Sequence, residues 1–356
     1  LQPLQETLKV TTLWSASLGE GDNGKYLKLY PLVIDDKLFA INAEGDIGAF
    51  QADNGKHLWD VSTSVPVSSG LAGDEEHLVF GTEDGDVIAV ASEDGRELWK
   101  KRLSSEVVAV SRVDLGIVVA RTNDSKLYGL DIDNGNVRWQ VTHKIPVLIL
   151  TGVSTPLIDL GKLVVGFDDG ELAVYSLFRG QHLWETPVGI PKGKSELERM
   201  VDIDGVIKVA DGIIYAVAFH GQVMAVTLVD GRVLWARGLS SYEGLDVDDQ
   251  RVYVTDEDDN VWALDRRTGA SLWKQDKFKY RKLSAPSVLQ DYVLVSDFEG
   301  YVHWLAKSDG HLVARTQAVD GGTLVQPIVV GSRAYVQGRE GDIVALELPE
   351  EEKTAP

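Results

Sequence analysis

Seven of the nine tryptophans form one series, Trp14, Trp59, Trp99, Trp139, Trp184, Trp235 and Trp273, with steps of 45, 40, 40, 45, 51 and 38 residues. A self-similar spacing of that size along a whole chain calls for one supersecondary unit, copied and stacked so that neighbours bury each other's apolar faces. Six of the indoles close the same phrase, with a glycine four residues earlier at Gly55, Gly95, Gly135, Gly180, Gly231 and Gly269. A seventh phrase begins at Gly310 and ends on Ala314, without its tryptophan.

A second phrase precedes each of these: a β-branched run, a tight polar turn, then a small-apolar run such as Val87-Ile88-Ala89-Val90. Its turns fall at Gly45, Gly85, Ser125, Gly170, Gly221, Asn260, Gly300 and Gly341, which makes eight copies. Helical periodicity is nearly absent. Asp-Gly or Asn-Gly pairs at 54–55, 84–85, 94–95, 134–135, 169–170, 230–231 and 309–310 sit where two-residue hairpin turns need positive φ. The pattern predicts an all-β chain, an eight-bladed β-propeller of four-stranded antiparallel blades. The eighth copy, Ala334 to Leu348, lacks an outer strand, and Thr11-Thr12-Leu13-Trp14 at the other end of the chain has the sequence to supply it. Residues 10–348 are therefore expected to form one ring closed by the N-terminal strand, with 1–9 a flexible tail and 349–356 an acidic disordered one.

The 35 basic and 55 acidic residues leave a net charge of −20, a field that repels phosphate backbones, so nucleic acid is not an expected partner. With no cysteine, disulfides, thiol nucleophiles and Cys-ligated metals are excluded. No apolar run approaches the roughly 18 residues of a membrane-spanning helix.

The hairpins of the outer strands hardly vary, with 14 residues from turn to tryptophan position in six units and 13 in one. Variation is confined to the stretch from each tryptophan to the next turn, and beyond the N-terminal unit its longest instances, 31 and 37 residues, follow Trp139 and Trp184. In a ring of alternating strands these two connections are neighbours on one face. The first holds the apolar run Ile145-Pro146-Val147-Leu148-Ile149-Leu150, which reads either as a buried inner strand or as a contact surface. The second, Pro187 to Gly205, ends in Asp202-Ile203-Asp204. Leu148 and Leu150 share one parity, as do Asp202 and Asp204, so each pair points to one side of an extended segment. Two readings follow: an apolar centre with carboxylates aimed at a partner's Arg or Lys, or blade interior with aspartates capping the turn before Gly205.

Other motifs fall to structural explanations. Gly19-Glu20-Gly21-Asp22-Asn23-Gly24 has the glycine spacing of a dinucleotide loop but is followed by the alternating stretch Lys25 to Tyr30, not a helix. Gly193-Lys194-Ser195 lacks the glycine a phosphate loop needs at 188, where Val188 stands. The acidic strings Asp131 to Gly135 and Asp256 to Asp259 have no closing bidentate Glu and fall on repeat turns, which their side chains would cap. His57, His182 and His311 occupy related outer-strand positions and read as surface residues, and the tryptophans as inter-blade packing with the indole N–H on a backbone acceptor. No catalytic residue, cofactor or metal is expected.

The phrase of Asp/Asn-Gly, two residues, then Leu-Trp resembles the repeat of the pyrroloquinoline-quinone (PQQ) dehydrogenase propellers. In order and detail the chain is closer to the BamB family, the lipoprotein B subunits of the Bam complex that inserts β-barrels into the bacterial outer membrane. That resemblance spans Thr12-Leu13-Trp14 to Ala345-Leu346, and is most specific over Leu148 to Pro156, at Asp202-Ile203-Asp204, and over Ser296 to Trp304. It implies a non-enzymatic scaffold on the periplasmic face of the outer membrane of a Gram-negative bacterium. The implied partners are the periplasmic domains of the barrel subunit and, as a second class, nascent outer-membrane proteins. Membrane attachment would come only through a lipidated cysteine upstream of Leu1. It further implies partner contacts at Leu148, Leu150, Asp202 and Asp204, and at Thr151, which stands where the family has Arg. The alternative is a PQQ-dependent quinoprotein dehydrogenase-like enzyme. The missing Cys pair and the short chain count against it, while a WD-type hub predicts Trp-Asp dipeptides and finds only Trp59-Asp60.

Overall fold

The computed structural model describes residues 3–143, 154–189 and 201–348, and among them the regular structure is all strand. Thirty-two strands form eight antiparallel sheets of four. Seven blades are continuous in sequence, the first running Leu32–Ile34, Lys37–Ile41, Asp46–Gln51 and His57–Ser62 from axis to rim. The eighth combines Ile328–Val330, Arg333–Gln337 and Asp342–Glu347 with Thr11–Ser17, which pairs in the register Thr11↔Glu347, Trp14↔Ala345 and Ser17↔Asp342. The ring is closed by the N-terminal strand as the orphan phrase predicts.

Stacking explains the sequence pattern strand by strand. Middle strands such as Lys37–Ile41 are covered on both faces and are buried almost throughout, whereas outer strands such as His57–Ser62 expose every second residue. Each repeat tryptophan spans the joint to the next blade: Trp14 Nε1 donates to Ala52 O at 3.0 Å, Trp139 to Leu177 O at 2.7 Å, and Trp273 to Lys307 O at 2.9 Å. The ring lies on the glycine of that next blade. A Cβ on Gly55, whose φ is +71°, would sit 2.6 Å from the Trp14 ring, so indole and glycine are two halves of one joint. The rim connections that carry these glycines are longer than the expected two residues. Residues 52–56 link the strands Asp46–Gln51 and His57–Ser62, because a register shift at Ala49/Phe50 bulges the ladder beside the left-handed glycine.

The missing tryptophan at Ala314 follows from the same joint. Its partner glycine would lie in the rim turn of the eighth blade, and there the chain has two ends instead of a turn. Leu8 and Val10 pack against the cluster of Val313, Ala314 and Leu348 in its place, and the Thr7 and Leu8 amides both donate to Val313 O at 2.9 and 3.3 Å. Thr7 and Leu8 are thus engaged along the seventh blade (Ser287–Leu289 through Leu312–Gln317), where a flexible tail was expected. Residues 349–356 lie outside the described residues.

Candidate functional site

One end of the disc carries both the connections between blades and the turns between the two middle strands of each blade. The backbone ties them together, with Thr63 N on Gly45 O at 2.9 Å, Leu103 N on Gly85 O at 2.8 Å and Val188 N on Gly170 O at 2.9 Å. Here the inner strands surround an axial cavity of about 690 Å³, with Leu71, Val110 and Ile158 in its wall beside Lys28, Arg121, Asp168 and Asp204. Lys28, on the connection into the first blade, reaches Glu243, on the connection into the sixth, at 3.3 Å.

Leu148, Leu150 and Thr151 lie outside the described residues. Asp202 and Asp204 are described, and their direction differs from both readings of the sequence. Val201 and Ile203 pack into the core shared by the fourth blade (Leu157–Asp159 through His182–Pro187) and the fifth (Lys208–Ala210 through Val233–Gly238). The intervening aspartates must then face the other way, toward the axis. Asp202 is 0% exposed and Asp204 7%, so neither presents its carboxylate on an outer surface. Nor do they cap a turn: among the described residues, both oxygens of Asp202 and Oδ1 of Asp204 have no hydrogen-bond partner. Gly166 makes room for this packing, since a Cβ there would meet the Ile203 side chain at 2.4 Å.

The third carboxylate of the group, Asp168, comes from the turn after the strand Lys162–Gly166. One oxygen from each of Asp168, Asp202 and Asp204 lies within 4.8 Å of the others. The buried Arg121, from the third blade, donates through Nη1 to Gly166 O at 2.8 Å and through Nη2 to Asp168 Oδ1. Burial, then the neighbouring carboxylates, pushes Asp202 well above the ordinary carboxylate range, and burial pushes Asp204 up as well. Sequence reasoning missed Asp168 and Arg121. The one available signal was Phe167: the corresponding turn position holds Asn42, Thr82, Asp256 and Asp297 in other blades, each accepting turn amides.

The remaining motifs resolve into packing. Asp256 Oδ1 accepts the amides of Asp258 at 3.0 Å and Asn260 at 2.9 Å, and Asp131 Oδ1 accepts that of Asp133 at 3.1 Å, so both acidic strings cap their turns. Gly19 to Gly24 forms turns, His57, His182 and His311 are exposed, and Gly193 to Ser195 lies outside the described residues. The Ser296 to Trp304 stretch builds a buried network in the seventh blade, with Asp297 accepting from His303 Nε2 at 2.7 Å and Arg281 Nε at 2.8 Å.

Eight four-stranded blades with an axial cavity describe more than one kind of protein, and sequence comparison separates them. Residues 43–275 match the family described as outer membrane protein assembly factor BamB. The chain belongs to the BamB family. The BamB of Pseudomonas aeruginosa is 39% identical over 345 residues, covering 97% of this chain and 91% of that protein. Among solved structures, BamB from Moraxella catarrhalis superposes with a TM-score of 0.88 at 26% identity, over 96% of this chain and 100% of that one. The quinohemoprotein alcohol dehydrogenase of Comamonas testosteroni has a TM-score of 0.73 at 11% identity, over 98% of this chain and 78% of its own, and shares with BamB the fold alone.

Proposed function

We propose that this protein is a non-enzymatic scaffold in outer membrane protein assembly, a lipid-anchored subunit on the periplasmic face of the outer membrane. Similarity to BamB proteins along nearly the whole chain carries the reading. It docks on the periplasmic domains of the barrel subunit of the Bam complex, with nascent outer-membrane proteins as a second class of ligand. The docking face is the end of the disc that bears the connections into the fourth and fifth blades. Leu148 and Leu150 supply its apolar centre, with Thr151 beside them. Asp202 and Asp204 act from beneath by holding their connection against the axis. A dehydrogenase reading has only the shared propeller in its favour, and fold alone carries no activity.

Binding of the barrel subunit's periplasmic domains to the Leu148→Glu protein, measured beside its thermal melting, tests the docking face. Loss of binding at an unchanged melting temperature is the expected result. Wild-type binding by a stable variant rejects the assignment, and a melting temperature that falls in step with binding makes Leu148 a core residue instead.

A further inference from the structure

We propose that Asp168, Asp202 and Asp204 bind one divalent cation of the hard, oxygen-preferring kind at the wall of the axial cavity. The three residues are 34 and 2 positions apart in sequence and reach one point only because the turn of the fourth blade meets the connection into the fifth. One oxygen from each lies within 4.8 Å of the others, about the diameter of a coordination sphere whose oxygens stand roughly 2.3–2.6 Å from a calcium ion.

The independent observation is the state of Asp202. It is wholly buried, and among the described residues both of its oxygens lack a hydrogen-bond partner, as does Asp204 Oδ1. An ionised carboxylate only accepts, and buried acceptors without donors are rare in folded proteins, so two carboxylates with unpartnered oxygens, meeting a third at one place, mark a missing positive group. Arg121 does not fill that role: its Nη1 donates to Gly166 O and its Nη2 to Asp168, and neither oxygen of Asp202 accepts from it.

Charge counting sets the valence. When all three carboxylates are ionised, they leave −2 against the one guanidinium, which one divalent cation neutralises and a monovalent cation does not. The donors are all carboxylate oxygens, which suit Ca²⁺, Mg²⁺ or Mn²⁺ over the thiolate- and imidazole-seeking metals. Asp168 and Asp204 both line the cavity, which gives the ion an entry path and room for the waters that complete its shell. The ligand-bearing segment is already anchored by Val201 and Ile203 in the core and by the Phe219 amide on Asp202 O at 2.8 Å. The bound ion would pin the connection into the fifth blade to the turn of the fourth. The alternative way to discharge the cluster is a proton shared between Asp202 and Asp204.

Isothermal titration of the full chain, stripped with chelator and then offered Ca²⁺, Mg²⁺ or Mn²⁺ singly, decides between them. Saturable binding of one ion per chain by at least one of the three is expected at millimolar concentration or below. At about a hundredfold excess over Kd the melting temperature should rise by about 5 °C. Asp202→Asn and Asp204→Asn should each lose both the saturable heat and the thermal response, while Asp202→Asn melts in chelator no lower than the wild type. General screening of the net charge of −20 acts equally on wild type and variants, so it cannot mimic the difference. Absence of saturable binding to the wild type at millimolar concentration overturns the proposal in favour of the shared proton. Undiminished binding by whichever variants fold overturns the assignment to these residues. Neither outcome depends on how the protein docks.

Discussion

Asp297 in the seventh blade and Asp202 before the fifth are equally buried, each 0% exposed, and their surroundings are opposite. Asp297 Oδ2 accepts from His303 and from two nitrogens of Arg281, while its Oδ1 accepts the amides of Glu299 at 2.9 Å and Tyr301 at 3.1 Å. Among the described residues Asp202 accepts from none. Three of Asp297's donors come from within six residues of it, so that network is built by its own turn and hairpin. The sequence neighbours of Asp202 are Val201 and Ile203, which donate nothing to it and turn it toward two further carboxylates. A buried charge whose donors are local is a structural device. One left without donors where separate parts of the chain converge is held ready for something the chain does not supply.

The largest effect that breaks this comparison is expected from Asp297→Ala. It strands His303 and part of Arg281 and removes a turn cap, and should cost about 3–5 kcal/mol, the usual penalty for halving a buried ion pair. Asp202→Ala in chelator should cost less than about 1 kcal/mol or stabilise the protein, because relief of an unpartnered charge offsets the small cavity. Urea unfolding midpoints of the two variants measure both. Equal losses would mean that Asp202 has a native partner after all, and the contrast would collapse.

The same contrast explains what was legible in the sequence. Blade number, ring closure and the tryptophan joints could all be read because each is local and repeated, and an exception such as Ala314 stands out against the other copies. Asp297 lies in a stretch whose donors follow it directly, so its neighbourhood at least marked it as distinctive. The Asp202-x-Asp204 pair stood out on a lengthened connection before family resemblance fell on it, and its shared parity was correct. Which side faced inward depended on Val201 and Ile203 joining one core cluster with Ile207 and Ala218, a grouping that no spacing rule contains. Asp168 and Arg121, on different blades, carry no local mark of their meeting. The rim connections were read too short because an Asn-Gly pair signals the left-handed glycine but not the bulge beside it.

A smaller effect sharpens the contrast through Arg121. Arg121→Met leaves Asp168 without its guanidinium donor and Gly166 O with only Ser154 Oγ at 3.0 Å, and adds an uncompensated charge to the cluster, at an expected cost of about 2–4 kcal/mol. In an Asp202→Asn background that cost should shrink by about 0.5–2 kcal/mol, because fewer negative charges then depend on the guanidinium. Arg281→Met, in the other cluster, should add to Asp202→Asn without coupling. A double-mutant cycle that shows coupling for Arg281 and none for Arg121 would dismantle the cluster as an electrostatic unit.

The smallest effect is the dependence on pH, where the two clusters pull in opposite directions. Burial and neighbouring carboxylates hold Asp202 above its ordinary value of 3.8, so the folded protein keeps a proton that the unfolded chain has lost. The resulting loss of stability is absent below that ordinary value, grows as pH rises above it and levels off once pH passes the raised value. Asp297 is held below 3.8, despite its burial, by His303 and Arg281, so its stabilisation is complete above 3.8 and is lost only as pH falls through the depressed value. Burial pushes His303 below 6.5, so the unfolded chain takes up a proton first and stability declines as pH falls from about 6.5 toward the lowered value. Between about pH 7 and pH 5 the seventh-blade network therefore loses stability on acidification while the axial cluster regains it, each on the order of 1 kcal/mol per unit of displaced pKa. Asp202→Asn should steepen the acid-side decline of the melting temperature in chelator, and His303→Gln should flatten it. Because a bound cation would keep the axial carboxylates ionised, adding the divalent ion at neutral pH and then acidifying should make the wild type decline as steeply as Asp202→Asn. If the two curves stay apart with the ion present, proton and cation are not exchanging at the same three carboxylates.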